Sequence, residues 1–121
     1  MDVLIIKPQH GSRILSGEKL VEVRGSRTSK TGERIGIAYS KSGCVYGEAT
    51  LKDIIRFDER KWEEFKWAHT VNCSFEEICQ RYKQPWGWIM LEPELYPEPK
   101  RYYHPAGAVI WVSNAIFLED M

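Results

Sequence analysis

Three short runs near the start of the chain decide its fold: Ile5-Ile6-Lys7-Pro8, Ile14-Leu15-Ser16-Gly17-Glu18-Lys19 and Val21-Glu22-Val23-Arg24. Proline suits the first position of a helix because it has no N–H group to leave unpaired there, and glycine suits the left-handed residue just past the last turn. The three runs therefore predict a strand, a helix over residues 8–16 and a second strand.

The second strand begins with charged residues that are unusual for a short strand. Lys19, Glu22 and Arg24 fall within six residues of one another, and charged groups are costly to bury unless they pair or meet a ligand. Strict alternation puts Glu22 and Arg24 on one face and Lys19 on the other, unless a twist or bulge brings Lys19 round. Two interpretations stay open. The charged residues either form a structural ion pair at the end of the strand, or all three side chains face a polar ligand.

The rest of the chain has the short strands, bends and helix caps that are typical of a small barrel. Glycines interrupt the strand patterns at 35–39 and 44–55, which indicates bends or bulges. Asp58 can cap one helix, and Ser74 with Glu77 forms a capping box for another. The proline-rich stretch 85–105 is expected to wrap the surface in extended form, before closing strands at 108–112 and 115–118. Together these features predict an α+β fold, a mixed β-barrel of five to six strands with short helices covering one mouth.

Composition bounds the class of protein. A chain of 121 residues with 43% hydrophobic and 28% charged residues predicts one globular domain, 1–121. No apolar run approaches the roughly 20 residues that span a bilayer, so no membrane partner is expected. Three cysteines without CxxC spacing predict reduced thiols in the cytoplasm. Cys73, Cys79 and His69 fit no common zinc spacing, and neither a metal nor a cofactor is predicted.

The charge is unevenly distributed although the formal net charge is zero. Residues 1–56 hold ten Lys/Arg against six Asp/Glu, a net charge of +4, and residues 57–121 carry −4. Arg24, Arg27, Lys30 and Arg34 lie in a stretch rich in Gly, Ser and Thr, which indicates a basic loop. This loop is either a solvated face or a rim that attracts anions. The near-neutral pI of about 6.8 disfavours a dedicated duplex-DNA binder.

The two ends of the chain resemble the ASCH domain, a family in the PUA-like superfamily of small β-barrels. The opening signature of that family corresponds here to Lys7-Pro8, Gly17-Glu18-Lys19, Glu22 and Arg24. The closing features correspond to Trp88, Glu92-Pro93 and the run from Gly107 to Trp111. The resemblance implies a cleft beside the first helix and an RNA or nucleotide partner.

Some small ASCH proteins hydrolyse N4-acetylcytidine with a lysine, a threonine and a glutamate. Lys19 falls on the position of that lysine, but Glu22 stands where the threonine is expected. A carboxylate cannot replace a hydroxyl nucleophile. The helical glutamate of the family could correspond to Glu64, Glu76 or Glu77.

Three functions remain open at this point. The first is a binding module for RNA or a nucleotide, in which an aromatic ring stacks on a base. The second is a hydrolase for a modified nucleoside, or a ribonuclease, with Lys19 and Glu22 as catalytic residues. The third is a protein-interaction domain that uses segment 85–105. The candidate ligand-binding residues are Lys7, His10, Lys19, Glu22, Arg24, Arg27, Lys30 and Trp88.

Overall fold

The computed structural model describes all residues from 1 to 121, in one curled sheet with short helices. The six strands are β1 (Val3–Ile6), β2 (Val21–Arg24), β3 (Arg34–Tyr39), β4 (Cys44–Arg56), β5 (Trp86–Arg101) and β6 (Trp111–Val112). The helices are α1 (Pro8–Ser16), α2 (Glu59–Glu64), α3 (Lys66–His69) and α4 (Phe75–Arg81), followed by a 3₁₀ helix, Leu118–Asp120. The α+β half-barrel and the helix over residues 8–16 are confirmed.

The sheet has the order β2-β5-β4-β3-β1-β6. β1 and β3 are parallel, and all other neighbours are antiparallel. α1 packs Ile14 and Leu15 against Leu4, Trp88 and other core residues. A second cluster, centred on Trp62 and Phe57, holds the three later helices against β2. The result is a sheet whose β1 and β2 ends lie beside α1 and α4.

Two predictions about the C-terminal third need correction. Segment 85–105 is extended, as predicted, over most of its length, but it is a strand of the sheet and does not merely wrap the surface. β5 pairs with β4 along most of its length and with β2 over residues 86–89. Its Pro93, Pro97 and Pro99 lie beyond Ile89, the last residue paired with β2, where one side of β5 needs no N–H donor.

The closing strands are also shorter than predicted. Only Trp111–Val112 forms a strand, and Phe117 makes an isolated bridge with Tyr102. Positive φ angles at Gly107 (84°) and Asn114 (48°) interrupt the extended backbone on either side of β6. Residues 108–110 are therefore left as a loop.

Two further findings concern membrane-spanning helices and metal-binding side chains. No helix is long and apolar enough to cross a membrane. No group of three or more His, Cys, Asp or Glu side chains is placed to hold a metal ion.

Candidate functional site

A pocket of about 330 Å³ opens between the end of β1, the start of α1, β2 and α4. Five of the predicted site residues line it: Lys7, His10, Lys19, Glu22 and Arg24. Its apolar walls include Ile5, Val71 and Ile110. The sequence-predicted cluster is thus brought together in one place, and its role toward a ligand stays a prediction.

Lys19 reaches the pocket because of the way α1 ends. Gly17 takes a left-handed conformation with φ of 87°, and the backbone N–H of Lys19 then donates to the carbonyl of Arg13. Lys19 precedes β2, which begins at Val21, so strand alternation does not fix its direction. Its side chain is only 1% exposed, and its Nζ donates to the carbonyl oxygen of His69.

Burial lowers the pKa of Lys19 below its ordinary value, and the carboxylate of Glu22 acts in the opposite direction. A buried ammonium is more easily deprotonated because the low-dielectric surroundings disfavour its charged form. The positive charge of Lys19 is therefore unfavourable in these surroundings. A negatively charged group in the pocket would stabilise it.

Glu22 and Arg24 form an ion pair on one face of β2. Arg24 Nε donates to Glu22 Oε2 at 2.9 Å, and Arg24 Nη2 donates to the carbonyl of Ile5 at 3.3 Å. The guanidinium also lies 5.5 Å from the centre of the Trp88 ring. Glu22 is 5% exposed, and its Oε1 makes no hydrogen bond within the protein. Of the two interpretations from the sequence, the structure contains the ion pair. Glu22 and Arg24 also line the pocket, and whether they face a ligand there stays a prediction.

His10 adds a neutral polar group. Its Nδ1 is buried and has no hydrogen-bond partner. Burial lowers the pKa of His10, although Glu22 favours the charged form. At neutral pH the ring is uncharged and offers an unused nitrogen beside the pocket.

Three other predicted residues lie outside the pocket. Arg27 stacks over Trp86, with 5.4 Å between the guanidinium and the ring centre. Lys30 pairs with Asp2 at 2.7 Å. Trp88 is 1% exposed and belongs to the core, where it donates to the carbonyl of Ser26. The structure therefore does not place Trp88 where it could stack on a ligand in this pocket.

Sequence reasoning missed part of the pocket wall. Ser40, Arg81 and Tyr82 line it, as do Val109 and Ile110. These residues are far from β2 in the chain. The packing of α4 and of the loop before β6 brings four of them to the pocket, and Ser40 reaches it because its backbone N–H donates to the carbonyl of Ile6 at 2.9 Å. Glu64, Glu76 and Glu77, the candidates for a helical glutamate, do not line the pocket.

Comparisons with known proteins agree with the fold. The chain matches the family model of the ASCH domain over residues 4–111. It belongs to the ASCH domain family. No curated protein matches the chain.

Solved structures of ASCH proteins from Zymomonas mobilis share the fold. A serine-to-alanine variant is 19% identical with a TM-score of 0.70, over 93% of this chain and 88% of that one. A tyrosine-to-phenylalanine variant is 19% identical with a TM-score of 0.69, over 93% and 90%. A third structure is 20% identical with a TM-score of 0.62, over 78% and 68%. At these identities the likeness shows the fold alone, a small α+β architecture with a curled six-stranded sheet.

Proposed function

We propose that the pocket of this ASCH domain binds a nucleotide, or one splayed-out base of a single-stranded RNA. The observation that carries the proposal is the combination of Lys19, Glu22 and Arg24 with apolar walls in one pocket. A nucleobase has two apolar faces and a polar edge with both donors and acceptors. The pocket offers the complementary groups, because Lys19 and Arg24 can donate hydrogen bonds and Glu22 Oε1 can accept one.

The size of the pocket favours a single small ligand. Ligand pockets range from about 300 to 1,000 Å³, and 330 Å³ lies at the lower end. A duplex cannot enter such a space, whereas an unstacked base can.

The charge at the rim favours a ligand with a phosphate. Lys7 and Arg81 are exposed, line the pocket and form no ion pair. Lys30, by contrast, is already paired with Asp2. Lys7 and Arg81 are thus the better-placed cations for a phosphate, and Arg27 is a further candidate on the neighbouring loop.

Calorimetric titration with the four ribonucleoside 5′-monophosphates tests the proposal. We expect Glu22→Gln to weaken the best-bound monophosphate by about tenfold, because a charge-assisted hydrogen bond contributes about 1.5–3 kcal/mol. Glu48→Gln is a matched control, since Glu48 accepts from Arg34 Nε at 2.8 Å and does not line the pocket. Equal binding by wild type and Glu22→Gln, or no binding of any monophosphate, contradicts the proposal.

A second candidate is a hydrolase acting on a modified nucleoside such as N4-acetylcytidine, or a ribonuclease. The observation in its favour is a buried lysine with a lowered pKa beside a carboxylate. Glu22 would position or deprotonate a water molecule, and the Lys19 ammonium would stabilise the negative charge that develops. If the remaining machinery is present, Glu22→Thr should raise the turnover of N4-acetylcytidine. Fast turnover by wild type that is lost in Glu22→Thr would instead identify Glu22 as the catalytic residue.

A further inference from the structure

We propose that the pocket continues into a second subsite for the neighbouring nucleotide of single-stranded RNA, with His104 as the stacking surface and Lys41 as the phosphate contact. This inference rests on the proposed function of the first pocket. It adds a second subsite outside the first pocket and names the side chains that would form it.

The two spaces are neighbours that share part of their lining. A second depression of about 470 Å³ lies beside the pocket and shares Ile5, Ser40 and Val109 with it. Val109 is 76% exposed and lines both spaces. An RNA strand with one base in the first pocket would therefore have its neighbouring nucleotide next to the second depression.

His104 is held in one orientation on the wall of the second depression. Its Nε2 lies 2.9 Å from the carbonyl oxygen of Ala108, and its Nδ1 lies 2.7 Å from the hydroxyl of Tyr102. A carbonyl only accepts, so Nε2 carries the proton, and in the neutral ring the Tyr102 hydroxyl donates to Nδ1. Both ring nitrogens are satisfied within the protein while the residue remains exposed. What the ring can still offer is a flat face, which is what a base needs for stacking.

Lys41 supplies an unpaired positive charge on the same depression. It lies in the turn between β3 and β4 with φ of 66°, is exposed and forms no ion pair. The turn is fixed by Ser42 Oγ, which donates to the carbonyl of Tyr39 at 2.6 Å. No carboxylate lines the depression, so the local field favours an anion.

The test compares two ligands by calorimetry: the best-bound ribonucleoside monophosphate and a trinucleotide of the same base. Wild type should bind the trinucleotide about tenfold or more tightly, since stacking of one additional base alone accounts for roughly fivefold to 100-fold. Lys41→Asn and His104→Gln should remove most of this gain and leave the monophosphate affinity unchanged. Asparagine is chosen at 41 because it tolerates the left-handed backbone.

Lys52→Ala is the control, because Lys52 is exposed, forms no ion pair and lines neither space. Lys41→Asn should also reduce the slope of log affinity against log salt for the trinucleotide by about 0.7, the value for one phosphate on a single strand. Lys41→Arg, which keeps the positive charge, should have the same salt slope as wild type. Equal affinity of wild type for the two ligands, or a trinucleotide affinity unaffected by both variants, overturns the second subsite while the first pocket stands. Absence of monophosphate binding together with absence of trinucleotide binding overturns both.

Discussion

Acidification below about pH 6.5 should destabilise the protein through His69, a buried histidine beneath the pocket. His69 is fully buried; the Val71 N–H donates to its Nδ1 at 3.0 Å, and its Nε2 lies 2.9 Å from the carbonyl of Trp62. Nε2 must therefore carry the proton. A second proton on Nδ1 would face the Val71 N–H and break that hydrogen bond. Burial accordingly lowers the pKa of His69 below its ordinary 6.5.

The sign and size of the effect follow from linkage. In the unfolded chain the histidine protonates near pH 6.5, while in the folded protein it stays neutral to lower pH. The unfolded state then binds more protons, so the free energy of unfolding is highest above pH 6.5 and falls as the pH drops toward the folded-state pKa. The slope reaches about 1.4 kcal/mol per pH unit for one group. His10, whose pKa is also lowered by burial, adds to the slope in the same direction.

Urea unfolding at pH 7.5, 6.5 and 5.5, followed by tryptophan fluorescence, measures this loss. Ring ¹⁵N chemical shifts of His69 should show the Nε2–H form throughout the range. His104→Gln is the control, because it removes an exposed histidine and leaves the buried His69 and the half-buried His10 in place, so the loss of stability should persist. A free energy of unfolding that is constant between pH 7.5 and 5.5, or a His69 ring that titrates at 6.5 in the folded protein, would refute the reasoning.

Three further predictions concern the scaffold and the pocket. Gly47→Ala should lower the free energy of unfolding by about 1–3 kcal/mol, because the added Cβ would overlap the carbonyl oxygen of Glu94; an unchanged urea midpoint would contradict this. Asp2→Asn should cost about 1 kcal/mol at pH 7 through loss of the pair with Lys30; since that pair lowers the pKa of Asp2 below 3.8, the deficit should shrink as acid protonates the wild-type carboxylate. Lys19→Met should abolish monophosphate binding, and because burial lowers the pKa of Lys19, wild type should gain stability relative to the variant as the pH rises toward 10.5.

Local chemistry explains which elements could be predicted from the sequence. Pro8 and Gly17 mark the ends of α1, and the Ser74–Glu77 capping box begins α4. In each case the signal and the structure lie within a few residues of each other. The same applies to the pocket side chains on β2, because their charge stands out within a four-residue strand.

Long-range pairing explains what the sequence did not reveal. The prolines of β5 look like a non-strand pattern, yet they fall where no second neighbour pairs with the strand. From the sequence alone Lys30 has no identifiable partner. The fold brings Asp2, 28 residues away, into contact with it. Val109 has the sequence pattern of a strand residue, but positive φ angles at Gly107 and Asn114 end the extended conformation on either side of it. Each of these outcomes depends on a partner that local pattern does not identify.

The distribution of unfavourable features through the molecule supports a ligand site at this end of the sheet. Away from the pocket, the half-buried Glu48 is well matched, because it accepts hydrogen bonds from both Arg34 and Tyr96. Beside the pocket, Lys19 is buried with a lowered pKa and His10 has a buried nitrogen without a partner. Thr70, next to the carbonyl-bearing His69, combines a positive φ of 58° with an unpaired buried hydroxyl. Local conflicts of this kind persist where function requires them, and Lys19 and His10 both line the same pocket. A nucleotide phosphate there would offset part of the cost of burying the Lys19 charge, so binding of a nucleotide should also raise the stability of the domain.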